Sequence, residues 1–193
     1  MPVYVAEPHV LREAVGFAIH RGVVASVWRP TLPSVAEVVR DAGSVLVLEG
    51  INDHENLGGL FRNAAAFGAD AVVLDPTCAD PFYRRSVRVS MGHVLGVPIA
   101  RSTDWPGTID ELKRLGFTVV ALTPARGSRL INDVLVAGPV ALLVGAESPG
   151  LTAAAIEASD LAVRIPMAVG IDSLNVATAS AIAMHRLAPL RLT

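Results

Sequence analysis

The sequence predicts an α/β fold in which a parallel sheet is flanked by helices. Six short apolar runs of strand length alternate with segments of helical periodicity. The runs are continuous rather than alternating with polar residues, which is typical of strands that helices cover on both faces. With 193 residues, 52% of them hydrophobic, the chain can bury the core of one such domain.

The elements follow from the positions of the apolar runs and of the residues that interrupt them. The predicted strands are Ser44–Leu48, Ala71–Leu74, Val97–Ala100, Phe117–Leu122, Val140–Val144 and Leu161–Ile165. The predicted helices are Leu57–Phe67, Arg84–Leu95, Ile109–Leu115, Thr152–Ala158 and Leu174–Leu187. Gly68 and Gly116 follow two of these helices, at the position where glycine favours a helix end.

The first forty residues differ from this pattern. His9–His20 has the period of an amphipathic helix, Val23–Trp28 resembles a strand, and Pro30 and Pro33 are typical of a linker. A segment of this size cannot form a domain alone, so residues 1–40 either pack on the main domain or are the remnant of an N-terminal module present in longer relatives, plus a linker. Residues 41–193 are expected to form the main domain.

Composition limits the classes of function. No apolar run reaches the roughly 20 residues of a membrane span, and no signal peptide is recognisable, so we expect a cytoplasmic protein. Cys78 is the single cysteine, so no internal disulfide and no metal site is expected. The net charge is −2, and Lys113 is the only lysine among 16 basic residues. Arginine suits phosphate contacts, although biased genomic base composition explains the same excess.

A first segment with chemical potential follows the first core strand. Asn56 is at the expected N-cap of a helix, and Gly58 and Gly59 let the backbone approach another chain or a ligand. Arg62 lies further along this helix, where its guanidinium requires an anion. That anion is either a ligand or a structural partner such as Glu55 or Asp53.

A second segment follows the strand at Val140–Val144. The chain breaks at Gly145 and then presents Glu147, beyond the carboxyl end of the strand, where open α/β sheets bind ligands. Glu147 could orient a ligand or an arginine there. Alternatively, it complements the dipole of the helix that starts at Thr152.

The third segment, Ile165–Ala179, is the most informative. A strand ends at a proline, a glycine loop follows, and a helix of small residues begins. Ser173 is the expected N-cap of this helix, so the Asn175 amide is available to hydrogen-bond a group in the loop. The alternative is that Asn175 itself simply caps the helix.

Together, the three segments resemble the SpoU-like (TrmH) family of S-adenosylmethionine-dependent RNA ribose 2′-O-methyltransferases, within the knotted SPOUT superfamily. The resemblance covers about Asp41–Leu187. The residues that carry it are Asn56, Gly58, Arg62, Phe67 and Gly68; Gly145, Glu147, Gly150 and Leu151; and Ile165, Pro166, Met167, Ser173, Leu174, Asn175 and Val176. One departure is Val169, which occupies the place of a glycine in many relatives and is followed here by Gly170.

The resemblance implies a C-terminal trefoil knot, a homodimer and S-adenosylmethionine as cofactor. It implies that residues 41–193 are the catalytic domain and that residues 1–40 derive from an RNA-binding module. The implied cofactor-binding residues are Leu122, Thr123, Pro124, Gly145, Ala146, Glu147, Ile165, Pro166, Met167, Leu174 and Asn175. The implied catalytic residues are Arg62, Asn56, Glu147 and Asn175, with Arg62 near the partner's pocket. Whether Arg62 binds phosphate or acts as a base stays open, because a guanidinium is a poor base.

RNA contacts are expected from Arg62 and from the predicted helix that contains Arg84, Arg85 and Arg88. Arg84 and Arg88 share one face of that helix, which forms either a phosphate-binding ridge or an ordinary solvated surface.

The implied activity is methylation of ribosomal or transfer RNA, including a variant that confers antibiotic resistance. A second hypothesis is a non-catalytic RNA-binding or ribosome-assembly factor that retains the fold. A Rossmann nucleotide-binding enzyme is disfavoured, because no G-x-G-x-x-G follows the first strand.

Overall fold

A computed structural model describes residues 2–16 and 23–187. The chain divides into two compact units, Met1–Pro30 and Thr31–Thr193. In the first unit, helix α1 spans Pro8–Val15 and ends at Gly16, which adopts a left-handed conformation with φ of 75°. The predicted helix continued to His20, and its last four residues lie outside the described ranges.

The strand predicted at Val23–Trp28 is wrong. These residues have no regular secondary structure. A β-branched apolar run forms a strand only where a neighbouring strand accepts its backbone hydrogen bonds.

The second unit is built on a sheet of seven parallel strands in the order β3-β2-β1-β6-β4-β7-β5. Ser44 of β1 is level with Val140 of β6, and Val45 is level with Ala71 of β2. The strands are β1 Ser44–Glu49, β2 Ala71–Leu74, β3 Ile99–Arg101, β4 Thr118–Leu122, β5 Arg129–Leu130, β6 Val140–Gly145 and β7 Leu161–Arg164. The first and sixth strands are buried along almost their whole length, which confirms the predicted cover on both faces.

Helices form a layer on each face of this sheet. They are α2 Val35–Val39, α3 His54–Ala66, α4 Arg84–Val89, α5 Gly107–Arg114, α6 Ala153–Ala158 and α7 Val176–Leu187. The core on one face is filled from α3 and α7, for example by Phe61 and Met184. The core on the other face is filled from α2, α5 and α6, for example by Val39 and Leu112. The α/β class and the parallel sheet are therefore confirmed, while the knot stays a prediction.

Three elements of the second unit differ from the sequence prediction. The helix predicted at Arg84–Leu95 ends at Val89, and a short 3-10 turn follows at His93–Leu95. Met91 and Gly92 between them have φ values of 56° and 83°, and two successive left-handed residues cannot continue a right-handed helix. Strand β5 and helix α2 were not predicted, since two and five residues are too few for a periodic signal.

Helix α2 nevertheless has a clear local origin. Ser34 accepts a hydrogen bond from the Glu37 backbone N–H, and the Glu37 carboxylate accepts one from the Ser34 N–H. This reciprocal capping, together with burial of Val35 and Val39, holds the five-residue helix on the sheet. In the described ranges, no helix is long and apolar enough to cross a membrane.

Candidate active site at the carboxyl ends of the strands

A pocket of about 340 Å³ lies at the carboxyl ends of three adjacent strands, β6, β4 and β7. Nine of the eleven residues predicted to bind a cofactor line it, and Pro166 and Asn175 do not. The nine are Leu122, Thr123, Pro124, Gly145, Ala146, Glu147, Ile165, Met167 and Leu174. Because parallel strands end at one edge of a sheet, three loops that are distant in sequence meet here.

Other lining residues were not predicted from the sequence, among them Ala125, Val144, Ser173 and Ala179. Ala125 and Val144 adjoin predicted positions, but nothing local in the sequence marks Ala179, which reaches the pocket from the first turns of α7. Most of the lining side chains are apolar, so the pocket suits a ligand with a flat or aliphatic part.

Gly145 is required by a close crossing of the chain over itself. A Cβ atom at this position would lie 2.5 Å from the backbone nitrogen of Leu151 and 2.6 Å from the carbonyl carbon of Gly150. Both neighbours are backbone atoms, which cannot move aside as a flexible side chain could. The glycine therefore lets the loop after β6 fold back against its own strand and close one wall of the pocket.

The shifted glycine of the third segment forms a tight turn. The Ile171 N–H donates to the Ala168 carbonyl oxygen at 3.2 Å, and Gly170, the third residue of this turn, has φ of 88°. A positive φ at that position is typical of a type II turn and favours glycine. Val169 precedes it with its side chain fully exposed. The turn therefore tolerates valine at position 169, because the positive φ occurs at position 170, where this chain has glycine.

Asn175 connects the three sequence segments. Its Nδ2 donates to Asn56 Oδ1 and to Glu147 Oε1, both at 2.7 Å. Its Oδ1 accepts from the backbone N–H groups of Ala177 and Thr178, at 3.0 and 3.3 Å. The amide orientation is determined by this pattern, because a flipped amide would place donors against donors. Three of the four predicted catalytic residues are therefore in direct contact.

The same bonds correct the prediction that Ser173 caps the last helix. Helix α7 begins at Val176, and the cap is Asn175 itself. Capping and site contacts are not alternatives here, because the oxygen of the Asn175 amide serves the helix and the nitrogen serves the site.

Helix α3 begins at His54, two residues before Asn56, the predicted N-cap. Asp53 accepts from the backbone N–H groups of Glu55 and Asn56, at 2.9 and 2.8 Å, so the prediction of Asn56 as N-cap is wrong. Asn56 lies in the first turn instead, with its side chain directed at Asn175. Asp53 is as good a cap as Asn, and which of them is used depends on where the preceding loop turns.

Close packing against other helices positions α3. A Cβ at Gly58 would lie 2.7 Å from the Val89 Cβ on α4, and one at Gly59 would lie 3.0 Å from the Ala177 Cβ on α7. Asn63 donates to the Ala177 carbonyl oxygen at 2.6 Å. The glycines therefore serve contacts between helices of the same chain.

Arg62 is exposed on α3, beside the face that contacts α7. Within the described residues its guanidinium has no hydrogen bond or ion pair, so the structural salt bridge with Glu55 or Asp53 is not formed. Glu55 pairs instead with Arg85, whose Nε lies 3.2 Å from Glu55 Oε1. Arg62 thus presents its charge to the surface, on the same helix as Asn56 and next to Asn63 in the chain.

A buried carboxylate that was not predicted from the sequence supports the pocket. Glu49, the last residue of β1, accepts from the backbone N–H and the hydroxyl of Thr152, both at 2.8 Å, and from Trp105 Nε1 at 2.6 Å. Glu49, rather than Glu147, therefore complements the start of α6. The only feature of the local sequence that marks Glu49 is its position as a carboxylate at the end of a buried strand. It holds the end of the loop that walls the pocket.

In the predicted arginine ridge on α4, Arg85 forms an ion pair with Glu55. Arg84, Arg85 and Arg88 are all exposed, and Arg84 and Arg88 lie four residues apart on one face. Arg85 is turned toward α3 by its ion pair with Glu55.

Comparison with known proteins places these observations in a family. The model of the SpoU rRNA methylase family matches residues 43–185. The chain belongs to this family. Seventy-five to eighty-one per cent of the chain superposes on solved members of similar fold. An AdoMet-bound rRNA methyltransferase from Sinorhizobium meliloti has a TM-score of 0.75 at 32% identity, covering 81% of this chain and 60% of that one. The SpoU methyltransferase AviRb from Streptomyces viridochromogenes, in complex with AdoMet, has a TM-score of 0.71 at 26% identity, covering 81% of this chain and 64% of that one.

Curated proteins similar to this chain are also described as tRNA or rRNA methyltransferases. An uncharacterized tRNA/rRNA methyltransferase of Mycobacterium tuberculosis is 54% identical over 95% of this chain and 65% of its own length. The 23S rRNA (guanosine-2′-O-)-methyltransferase RlmB of Nitrosomonas europaea is 35% identical over 88% of this chain and 66% of its own length. The chain therefore spans about two thirds of the length of these relatives.

Proposed function

We propose that this protein transfers a methyl group from S-adenosylmethionine to a ribose 2′-hydroxyl of ribosomal or transfer RNA. The observation that carries the proposal is the contact of Asn175 with Asn56 and Glu147, which joins an apolar pocket to the helix that bears Arg62. Relatives described as 23S rRNA 2′-O-methyltransferases and solved family members with bound AdoMet support it.

The pocket fits the proposed cofactor. An adenine ring needs an apolar slot, and Leu122, Ile165 and Leu174 surround the pocket from the ends of two strands and from the loop before α7. Its volume of about 340 Å³ lies within the range of small-molecule sites. We place Pro166 and Asn175 at its rim, where they shape the loop and do not line the cavity.

S-adenosylmethionine supplies the methyl group on a sulfonium, whose sulfur leaves with the bonding electrons. The protein must therefore align the ribose oxygen with the methyl carbon and help to remove the hydroxyl proton. Glu147 is the one carboxylate among the four proposed catalytic residues and is the candidate acceptor for that proton. Asn175 holds it in place through the 2.7 Å bond to Oε1.

Arg62 is proposed to bind the phosphate beside the target ribose. A guanidinium carries no acceptor lone pair, so it is suited to hold an anion and poorly suited to act as a base. Its exposure without a partner among the described residues leaves all of its donors available for RNA. Arg84, Arg85 and Arg88 are also exposed, on the neighbouring helix α4, and we assign them to further contacts with RNA.

We also propose a cytoplasmic homodimer in which Arg62 of one protomer lies near the pocket of its partner. Support comes from the loop before α7, which exposes the apolar side chains of Val169 and Ile171. The assignment of residues 1–40 to an RNA-binding module stays a prediction. Light scattering coupled to size exclusion measures the oligomeric state, and a monomer at working concentration contradicts the dimer.

The test of function combines two measurements. Calorimetry with S-adenosylmethionine is expected to show binding to the folded protein, and Leu174→Arg, which fills the pocket, is expected to abolish it. Mapping of 2′-O-methylation in ribosomal and transfer RNA, with and without the gene, is expected to identify a methylated ribose. A folded protein with no S-adenosylmethionine binding would exclude the enzyme and favour the non-catalytic RNA-binding alternative.

A further inference from the structure

A second recess lies on the surface between the start of α3 and helix α4. Its volume of about 760 Å³ is larger than that of the proposed cofactor pocket, and the two share no lining residue. Aromatic, basic and acidic side chains line it: His54, Tyr83, Arg84, Arg88, Glu55 and Asp53.

Two aromatic rings in contact with each other are among the side chains that line this recess. The ring centroids of His54 and Tyr83 lie 4.3 Å apart with an interplanar angle of 45°. Tyr83 is about half exposed, and in the described part of the chain neither side chain has a hydrogen-bond partner. A tilted pair leaves ring surface open to a third flat group. A partly exposed aromatic pair with no hydrogen-bond partner among the described residues is the type of surface on which nucleobases stack.

The charges around the rings favour an anion next to the stacked group. Asp53 is occupied by capping α3, and Glu55 is neutralised by Arg85. Arg88 is exposed, one turn along α4 from Arg84, and has no hydrogen bond or ion pair with the described residues. The recess thus offers a flat apolar surface beside a free guanidinium.

We propose that this recess binds an unpaired nucleotide of the RNA substrate, with its base on Tyr83 and His54 and its phosphate on Arg88. This inference rests on the proposed function and specifies the substrate class as single-stranded or loop RNA. Duplex RNA keeps its bases stacked on each other and cannot place one on the rings.

The position of the recess fits a nucleotide near the methylated one. Glu55, at its edge, and Arg62 lie seven residues apart on one face of α3, a separation of about 10 Å along the helix axis. One RNA strand can therefore contact Arg62 and the aromatic pair together.

The test uses a fluorescein-labelled adenosine decamer, a duplex of the same length, and a decamer with a central 2-aminopurine, whose fluorescence is quenched by stacking. Wild type is expected to bind the single strand more tightly than the duplex and to quench the 2-aminopurine. Tyr83→Ala is expected to weaken binding roughly 5- to 150-fold and to abolish the quenching, with the salt dependence unchanged. Tyr83→Phe, which keeps the ring, is expected to restore both.

Arg88→Ala is expected to weaken binding and to reduce the slope of log affinity against log salt by about 0.7, the value for one phosphate contact with a single strand. The matched control is Arg114→Ala, an exposed arginine on α5 in the opposite helical layer, which is expected to leave both readouts unchanged.

Equal affinity of wild type and Tyr83→Ala, or tighter binding of the duplex, would overturn the base-stacking site. If wild type nevertheless binds S-adenosylmethionine in calorimetry, the proposed methyltransferase function stands without this site. If wild type binds neither the decamer nor S-adenosylmethionine, both proposals fail.

Discussion

Asn175→Asp separates the two tasks that the Asn175 amide performs. Aspartate is as good an N-cap as asparagine, so the bonds from the Ala177 and Thr178 N–H groups are retained. In the wild type, Asn56 Oδ1 and Glu147 Oε1 each lie 2.7 Å from the donor Nδ2 of Asn175. In the variant, the second oxygen of the new carboxylate takes the place of that donor. Asn56 can turn its amide so that Nδ2 donates to the new carboxylate, but Glu147 can oppose it only with an acceptor, so the bond to Glu147 is lost and the two carboxylates must separate.

The expected change in stability is small. Repulsion between two exposed carboxylates about 4 Å apart costs about 1 kcal/mol in water, and the favourable interaction of the new charge with the start of α7 returns about 0.3–1 kcal/mol. Asn175→Ala, by contrast, loses the cap and about 1 kcal/mol of unfolding free energy. Methyl transfer is expected to fall about a hundredfold in both variants, because displacement of reacting groups by about 1 Å has an effect of that size.

Urea unfolding and a methyl-transfer assay measure the two quantities on the same samples. Ser34→Ala is the matched control, since it removes the cap of α2 in the other helical layer and should lower stability by about 1 kcal/mol without affecting transfer. Wild-type transfer by Asn175→Asp would refute the organising role of Nδ2. A loss of stability in Asn175→Asp equal to that of Asn175→Ala would refute its role as cap.

Four further outcomes are expected. Arg62→Ala should lower methyl transfer roughly a hundredfold with stability within about 0.5 kcal/mol of wild type, whereas a large loss of stability would point to an intramolecular partner. Glu49→Gln should destabilise the protein by about 1–3 kcal/mol in urea unfolding, because its amide group places a donor against the donors of Thr152 or Trp105; an unchanged midpoint would contradict this network. Burial raises the pKa of the Cys78 thiol to about 12, so iodoacetamide at pH 8 should leave it unmodified in the folded protein and alkylate it in urea, as mass spectrometry can check. The hydrogen bond from Ser34 lowers the pKa of Glu37 below its ordinary value of 4.5. The difference in unfolding free energy between wild type and Glu37→Gln should therefore be present above pH 4.5 and vanish as the pH falls through the folded-state pKa. A difference that persists in acid would exclude the capping carboxylate as its source.

The local elements were largely accessible from the sequence. Continuous apolar runs predicted six of the seven strands to within two residues at either end, because strands buried on both faces need apolar side chains at every position. Helix starts were less accessible, since Asp53 or Asn56 and Ser173 or Asn175 are all acceptable caps. The path of the preceding loop decides between them, and that path depends on what the loop packs against.

The three motifs by themselves determined the family, the expected activity and the residues to consider, since each is a short run whose residue types and spacing can be read directly. Only the tertiary structure decided how these residues meet. Asn175 contacts a residue 119 positions away and another 28 positions away, and Glu49 contacts Thr152 across 103 positions. Local periodicity carries no information about such pairs. They form because the parallel sheet brings the carboxyl ends of its strands, and the loops that follow them, to one edge.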